Sequence, residues 1–329
     1  MKILKVAIWG LGPHSMRRII PSIIKLKEIS VIGVCSRNKK NVNKVSKELN
    51  CNGWISPSEM LTNNLVDIVY IATPIGLHSS QVQQALNAGK HVWCEKPLTC
   101  NYNDTKSIIA LAREKNKVLT EGFMFLYHPQ FEKVKNFVKD NESNGIYSIT
   151  IRFGLPLLDK PGFRNDTSLC GGAFWDVASY PIAAIHALFP NQKIEVVFSE
   201  IITKNNEEVD SEGRTLLKFE SGTSVLLEWG VGVAYRNEID IWSHDNSLYT
   251  DKIFSKPEDY QTIFTLRDKN GNQSFINGKK SEQFIDMFCS FIDIFNSSKK
   301  INEEFQSIMN RAELMEKIIN HSKLNQNSF

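Results

Sequence analysis

Residues 5–12 confine this chain to few folds. Lys5-Val6-Ala7-Ile8-Trp9 is an apolar, strand-like run, and it stops at Gly10-Leu11-Gly12. Helical patterning follows at once, with Met16, Ile19, Ile20, Ile23, Ile24 and Leu26 recurring near i, i+3, i+4. A strand, a glycine-rich turn and a helix, in that order, open a βαβ unit of the kind that builds parallel sheets. Pro21 predicts an interruption or a kink in the helix, because it has no N–H and crowds the preceding turn. The alternation then continues. Strands are expected at 31–35, 66–72, 91–94 and 118–121, and helices at 38–49, 79–88 and 103–115, with Gly89 as a helix stop. Alternation of this kind predicts an α/β fold with a doubly wound parallel sheet.

The pattern changes after Gly122. Strand-like runs at 146–154, 194–203, 214–219, 223–230, 238–243 and 262–267 follow one another without intervening helices. Ser221-Gly222 and Asn270-Gly271-Asn272 supply turn chemistry between them. Such a succession predicts a large, mostly antiparallel sheet. A helix over 173–189 and a C-terminal helical pair from 281 to about 323 are assigned to this second half. The domain boundary is expected at 122/123, giving domains of 1–122 and 123–329. Leu216, Leu217, Phe219, Val225, Leu227 and Trp229 are expected to leave one apolar sheet face without helical cover, a surface that marks an interface.

The length of 329 residues fits two domains. A net charge of +3 argues against nucleic acid or an anionic membrane as the main partner. The N-terminus has no signal-peptide pattern, and no apolar run reaches the roughly 18 residues of a membrane span. The six cysteines form no Cys-x-x-Cys pair and read as reduced thiols of a cytoplasmic protein. The seven histidines form no ligand cluster, so no metal is expected.

Three segments carry candidate chemistry. Gly10-Leu11-Gly12-Pro13-His14-Ser15 follows a strand and opens a helix, the setting of a dinucleotide fingerprint with Ser15 in place of the third glycine. At the end of the second strand stand Ser36 and Arg37 where an NAD site carries Asp or Glu. A guanidinium there can grip a 2′-phosphate, which favours NADP(H) over NAD(H). Glu95-Lys96-Pro97 ends an apolar run at the carboxyl edge of the sheet, where ligands bind in open α/β folds. Farther on, Gly171-Gly172-Ala173 opens a helix that puts Asp176 and Tyr180 on one face.

With Ala72-Thr73-Pro74, His78, Glu121-Gly122-Phe123-Met124, His128-Pro129 and Phe163-Arg164, these segments resemble the glucose–fructose oxidoreductase / inositol dehydrogenase (Gfo/Idh/MocA) family over nearly the whole chain. The resemblance implies a Rossmann domain followed by an α/β substrate-binding and oligomerisation domain. It also implies a homodimer or dimer of dimers through the second sheet. It implies an NADP(H)-dependent oxidoreductase that interconverts a secondary alcohol and a ketone on a sugar-like or nucleotide-sugar-like substrate. A trans-dihydrodiol or aldose dehydrogenase is the alternative activity. Tyr180 would donate the proton, Lys96 would lower the phenol's pKa, and Asp176 would orient Lys96. Cofactor contacts would come from Gly10, Leu11, Gly12, Pro13, His14, Ser36, Arg37, Thr73, Pro74, His78, Glu95, Lys96 and Arg164. Phe123, Tyr127 and Trp175 would face substrate, Trp175 having core filling as its other use. The Lys96–Pro97 bond is expected to be cis, as in relatives. Leu126, where relatives often carry Arg, and the bulky Trp175 leave room for a protein that binds NADP(H) without turnover. The intact Lys96, Asp176 and Tyr180 argue against it.

Overall fold

The computed structural model describes residues 3–142, 145–190, 192–204 and 207–326. The chain forms two compact units, one of Met1–Gly122 with Phe284–Met309, the other of Phe123–Gln283 with Asn310–Phe329.

The first unit holds β1 (Leu4–Trp9), β2 (Ile29–Cys35), β3 (Asn52–Trp54), β4 (Ile68–Ile71), β5 (His91–Cys94) and β6 (Leu119–Glu121). They form one parallel sheet in the order β3-β2-β1-β4-β5-β6. The order reverses direction on either side of β1, which makes the carboxyl end of β1 the switch point at which such sheets bind ligands. Ile68, Val69, Tyr70 and Ile71 are all fully buried, as a strand covered on both faces requires. The expected kink at Pro21 takes a definite form. Ser15–Ile19 is π-helical and runs into the α-helical turn Ile20–Ile23. The wider turn gives the proline ring space and spares the bond that its missing N–H would have made.

Part of the C-terminal helical pair belongs to this first unit, contrary to its assignment from sequence. The reason is aromatic packing. Phe288 and Phe291 lie on Trp93 with centroid distances of 5.8 and 5.5 Å, and Phe288 meets the Tyr70 ring edge at 5.6 Å. Phe305 and Ile308 join a different cluster of this unit, with Val69, Ile71, Val92 and Cys94. Each such side chain contributes about 1.5–3 kcal/mol through burial.

The second unit holds β7 (Ile146–Leu155), β8 (Ile194–Ile202), β9 (Glu212–Phe219), β10 (Ser224–Val231), β11 (Arg236–Ser243), β12 (Asn246–Asp251), β13 (Ile263–Asp268) and β14 (Gln273–Asn277). Their order is β14-β13-β12-β11-β7-β10-β9-β8, antiparallel except for β7 beside β10. Helices Pro129–Asn141 and Phe174–Leu188 belong to this unit. Of the apolar residues expected on an uncovered face, Leu217, Phe219, Val225, Leu227 and Trp229 are buried, and Phe219 and Trp229 pack on Phe189 and Phe174. Only Leu216 of that set lies on the other face. It sits in register with Leu226 and Phe198. On that face Arg152 bonds Glu228 at 2.7 Å and Glu238 at 3.3 Å, and Arg214 bonds Glu200 at 3.2 Å, an alternating row of charge across five strands.

The reduced state holds for Cys35, Cys51, Cys94 and Cys289. It does not hold for Cys100 and Cys170, each of which is disulfide-bonded. Single-sequence spacing gave no sign of that. Among the described residues no cluster could hold a metal, and no helix is long and apolar enough to cross a membrane.

Candidate functional site

The glycine turn at the end of β1 combines a closed side with an open one. Gly10 has φ 114°, and a Cβ there would stand 2.5 Å from the Ala72 carbonyl oxygen. The backbone after β4 therefore packs directly on the turn, and only glycine fits. A Cβ on Gly12 would meet nothing within 4 Å. That space, at the start of a helix whose first amides lack helical partners, suits a pyrophosphate. Ser15 is 1% exposed and its hydroxyl has no protein partner, so a small residue does stand where the fingerprint has its third glycine. Asn41 donates to the Leu11 carbonyl at 3.2 Å and ties the turn to the helix after β2. At the mouth of that helix the Ser36 hydroxyl accepts from the Asn38 amide, and Arg37 is exposed. The described residues thus fit a dinucleotide with a 2′-phosphate.

The Glu95-Lys96-Pro97 turn leaves β5 with a cis Lys96–Pro97 bond, as expected. The Glu95 carboxylate accepts from the Tyr70 hydroxyl at 2.6 Å and pairs with His14 Nε2 at 3.2 Å. Burial works to raise its pKa. The charge and hydrogen bond of His14, the Tyr70 bond and the charge of Lys96 outweigh it and hold it below the usual value. Tyr70 and Glu95 therefore brace the tip of the glycine turn. His78, expected as a cofactor contact, is held within the protein. It is 1% exposed, and its ring nitrogens face the carbonyls of Pro97 and Thr73, each at 2.9 Å. Burial lowers its pKa despite those two acceptors. His78 is a clamp between the segment after β4 and the lysine turn. The Thr73 hydroxyl donates to Gln81 at 2.6 Å on the same helix.

In the second unit Gly171 is forced by close backbone and Gly172 by a close side chain and its own φ. A Cβ on Gly171 would strike the Arg164 carbonyl, and one on Gly172 the Asp210 carboxyl; Gly172 also has φ 105°. The helix begins with a π-helical stretch, Phe174–Ala178, and continues as Ser179–Leu188 with Pro181 near its start. The helix after β1 and the helix that carries Tyr180 thus both relieve a proline with a π-turn. Arg164 Nε donates to Asp176 Oδ2 at 2.5 Å, which gives Asp176 a cationic partner within its own unit. The Tyr180 ring sits among Phe123, Phe125, Phe153 and Phe254 at centroid distances of 5.8, 5.9, 5.1 and 5.6 Å. Its hydroxyl lies 3.9 Å from Met124 Sδ. Phe123 is fully buried against that ring, while Tyr127 is partly exposed. Phe174 fills the core, and Trp175, edge-on to it at 5.1 Å, stays partly exposed. Tyr70 and Asp210 were not found from the sequence, since neither lies in a motif and both act through contacts remote in the chain.

Comparison with known proteins follows this geometry. Residues 4–123 match the family described as "Oxidoreductase family, NAD-binding Rossmann fold", and residues 131–248 match the GFO/IDH/MocA C-terminal domain. The chain is 30% identical to a dTDP-3,4-didehydro-2,6-dideoxy-alpha-D-glucose 3-reductase of Saccharopolyspora spinosa, over 82% of this chain and 80% of that protein. An enzyme of the same name from Actinomadura kijaniata is 26% identical over 96% and 94% of the two chains. The crystal structure of a 3-ketoreductase from Actinomadura kijaniata with NADP and TDP-benzene superposes with a TM-score of 0.91 at 25% identity, covering 97% of each chain. On both halves of its length, this chain belongs to the Gfo/Idh/MocA family of oxidoreductases.

Proposed function

We propose that this oxidoreductase uses NADPH to reduce a keto group on a nucleotide-activated sugar, with Tyr180 as the proton donor. The observation that carries the reading is the seat of Tyr180. Its phenol stands within four aromatic rings on the helix opened by Gly171-Gly172-Ala173. Rings exclude water, and charge developing beside them is poorly screened. A proton delivered there has a strong effect on an alkoxide. A dinucleotide is favoured by the open floor at Gly12, and NADP(H) over NAD(H) by Ser36 and Arg37 in place of an acidic residue. The nucleotide-sugar class is supported by the named activity of the relatives.

When bound, NADPH would supply the hydride to the carbonyl carbon. The protein's own work is the rest. Tyr180 gives its phenolic proton to the nascent alkoxide oxygen. Arg164 fixes the Asp176 carboxylate one helical turn before Tyr180. Tyr180→Phe should slow the chemical step by about 10²-fold or more and leave the NADPH dissociation constant as it was. Stopped-flow absorbance at 340 nm with dTDP-keto-sugars, beside NADPH fluorescence titration, measures both. Wild-type turnover in Tyr180→Phe would remove the role.

We also propose self-association through the uncovered face of the second sheet. Phe198, Trp242, Tyr147 and Phe275 are 38, 58, 55 and 67% exposed in that unit, and exposed apolar surface on a sheet face marks an interface. Light scattering at micromolar concentration should give a dimer or larger mass, and Trp242→Glu should shift it towards monomer. A monomeric wild-type mass refutes this.

A further inference from the structure

We infer that Asp210 is a positioning residue for the reaction: its oxygens cap the helix that carries Asp176 and Tyr180, and Gly172 is glycine to admit it. The inference rests on the reading of Tyr180 given above. The first amides of a helix have no helical acceptors and must find others. Here the Ala173 amide donates to the Asp210 carbonyl at 2.9 Å, and the Phe174 amide donates to Asp210 Oδ2 at 2.7 Å. Asp210 arrives from the connection between β8 and β9, far from this helix in sequence. Its neighbour is pinned, since the Ser211 amide donates to the Ile202 carbonyl at 2.9 Å and the Val231 amide to the Ser211 carbonyl at 2.7 Å. The cap is therefore anchored to the ends of β8 and β10, and the helix start inherits the rigidity of the sheet.

The two glycines make room for this arrangement from opposite sides. Any side chain on Gly172 would occupy the place of Asp210 Oδ1. On the other side the Gly172 amide donates to the Arg164 carbonyl at 2.8 Å, and Gly171 packs against the same carbonyl. Arg164 then reaches Asp176. Asp210 at the head of the helix and Arg164 along its flank together fix its rotation, and with it the direction of the Tyr180 phenol. Misplacing a catalytic group by about 1 Å can cost on the order of 10²-fold in rate.

Asp210 also titrates in a useful range. Burial pushes its carboxyl up to about 6 against the pull of its amide bonds. The ionisable groups on the surrounding elements include Arg164 and Asp166 on the segment before the glycines, Asp176 on the helix, and Lys204, Glu207, Glu208 and Glu212 on its own hairpin. Its carboxylate accepts from backbone amides, that of Phe174 among them. The ionised form makes the stronger, charge-assisted cap at a helix N-terminus.

The test compares Asp210→Ala, Asp210→Asn and Tyr180→Phe with wild type across the pH range around 6, each at a temperature where circular dichroism shows it folded. Asp210→Ala should lower kcat by about 10-fold or more, with NADPH affinity unchanged and faster hydrogen exchange at the Ala173 and Phe174 amides. Asparagine keeps the acceptor but not the titration. Asp210→Asn should recover most of kcat and lose the inflection near pH 6. Wild-type kcat in Asp210→Ala, with Tyr180→Phe inactive, overturns the role of Asp210 alone. Should Asp210→Ala not fold, a retained inflection in Asp210→Asn overturns it. Full turnover in Tyr180→Phe would instead remove the reading on which the inference rests.

Discussion

Gly10 and Gly12 stand two residues apart, yet alanine should have opposite consequences at the two positions. At Gly10 a methyl must take up φ 114° and approach the Ala72 carbonyl oxygen to 2.5 Å, against backbone that cannot swing aside. Left-handed backbone costs a non-glycine residue about 1–2 kcal/mol, and displacing a packed strand end adds a similar amount, so about 2–4 kcal/mol in all. For a domain of this size that lowers Tm by about 4–16 °C, at roughly 2–4 °C per kcal/mol. At Gly12 the methyl meets nothing within 4 Å and the backbone needs no positive φ. Gly12→Ala should leave the fold alone or stabilise it by about 0.4–1 kcal/mol through the unfolded chain. The open space it fills is the proposed pyrophosphate seat, and NADPH affinity should fall by at least about 10-fold, or 1.4 kcal/mol. Differential scanning calorimetry and isothermal titration with NADPH read the two effects separately. Wild-type affinity in Gly12→Ala would show that the phosphate lies elsewhere. An undiminished Tm in Gly10→Ala would refute the reasoning from backbone contact.

Two further predictions concern stability. Phe288→Ala removes a fully buried ring shared by Tyr70 and Trp93, and should destabilise the first unit by about 3–5 kcal/mol in urea denaturation; a change below about 1 kcal/mol would mean that this helix is not part of that core. Acid should act on the second unit through two buried imidazoles. Burial and the Arg311 charge lower His186 to about 3, and burial and the Lys256 charge lower His128 to about 4. Both folded values lie below the ordinary 6.5, so the stability they contribute is present above pH 6.5 and is lost as pH falls from there towards 3. The loss at the acid end is on the order of 3–5 kcal/mol for each group. His186→Gln should flatten the pH dependence of Tm, and an unchanged slope would count against the assignment.

The parts of this protein that depend on backbone demands were legible in the sequence. Glycines that must adopt positive φ or admit another chain, as at Gly10 and Gly172, leave a mark that a reader can find. The parallel strands were legible for a related reason, since β4 and β5 are covered on both faces and read as unbroken apolar runs. Elements with mixed surfaces were not. β12 alternates Asn246, Leu248 and Thr250 with polar partners, β14 is largely exposed, and neither gives a clear period. Helix Pro129–Asn141 did carry its signals, with proline in the first turn and Phe131, Val134 and Val138 on one face. The aromatic return of Phe288 and Phe291 to Trp93 could not be read locally, because an amphipathic helix does not state which sheet it covers. Tyr70 and Asp210 escaped for the same reason: each serves a motif distant from it in the chain.

That return has a consequence for how the protein comes into being. The first unit is interrupted by residues 123–283 and is completed only by 284–309. At about 5–20 residues per second, a ribosome needs on the order of 10–30 s to make the intervening stretch. During that interval the nascent nucleotide-binding half has its six strands but lacks the phenylalanines that cover Tyr70 and Trp93. It must wait, with aromatic surface exposed, for the far end of its own chain. A chaperone that binds apolar surface has its longest opportunity in that interval.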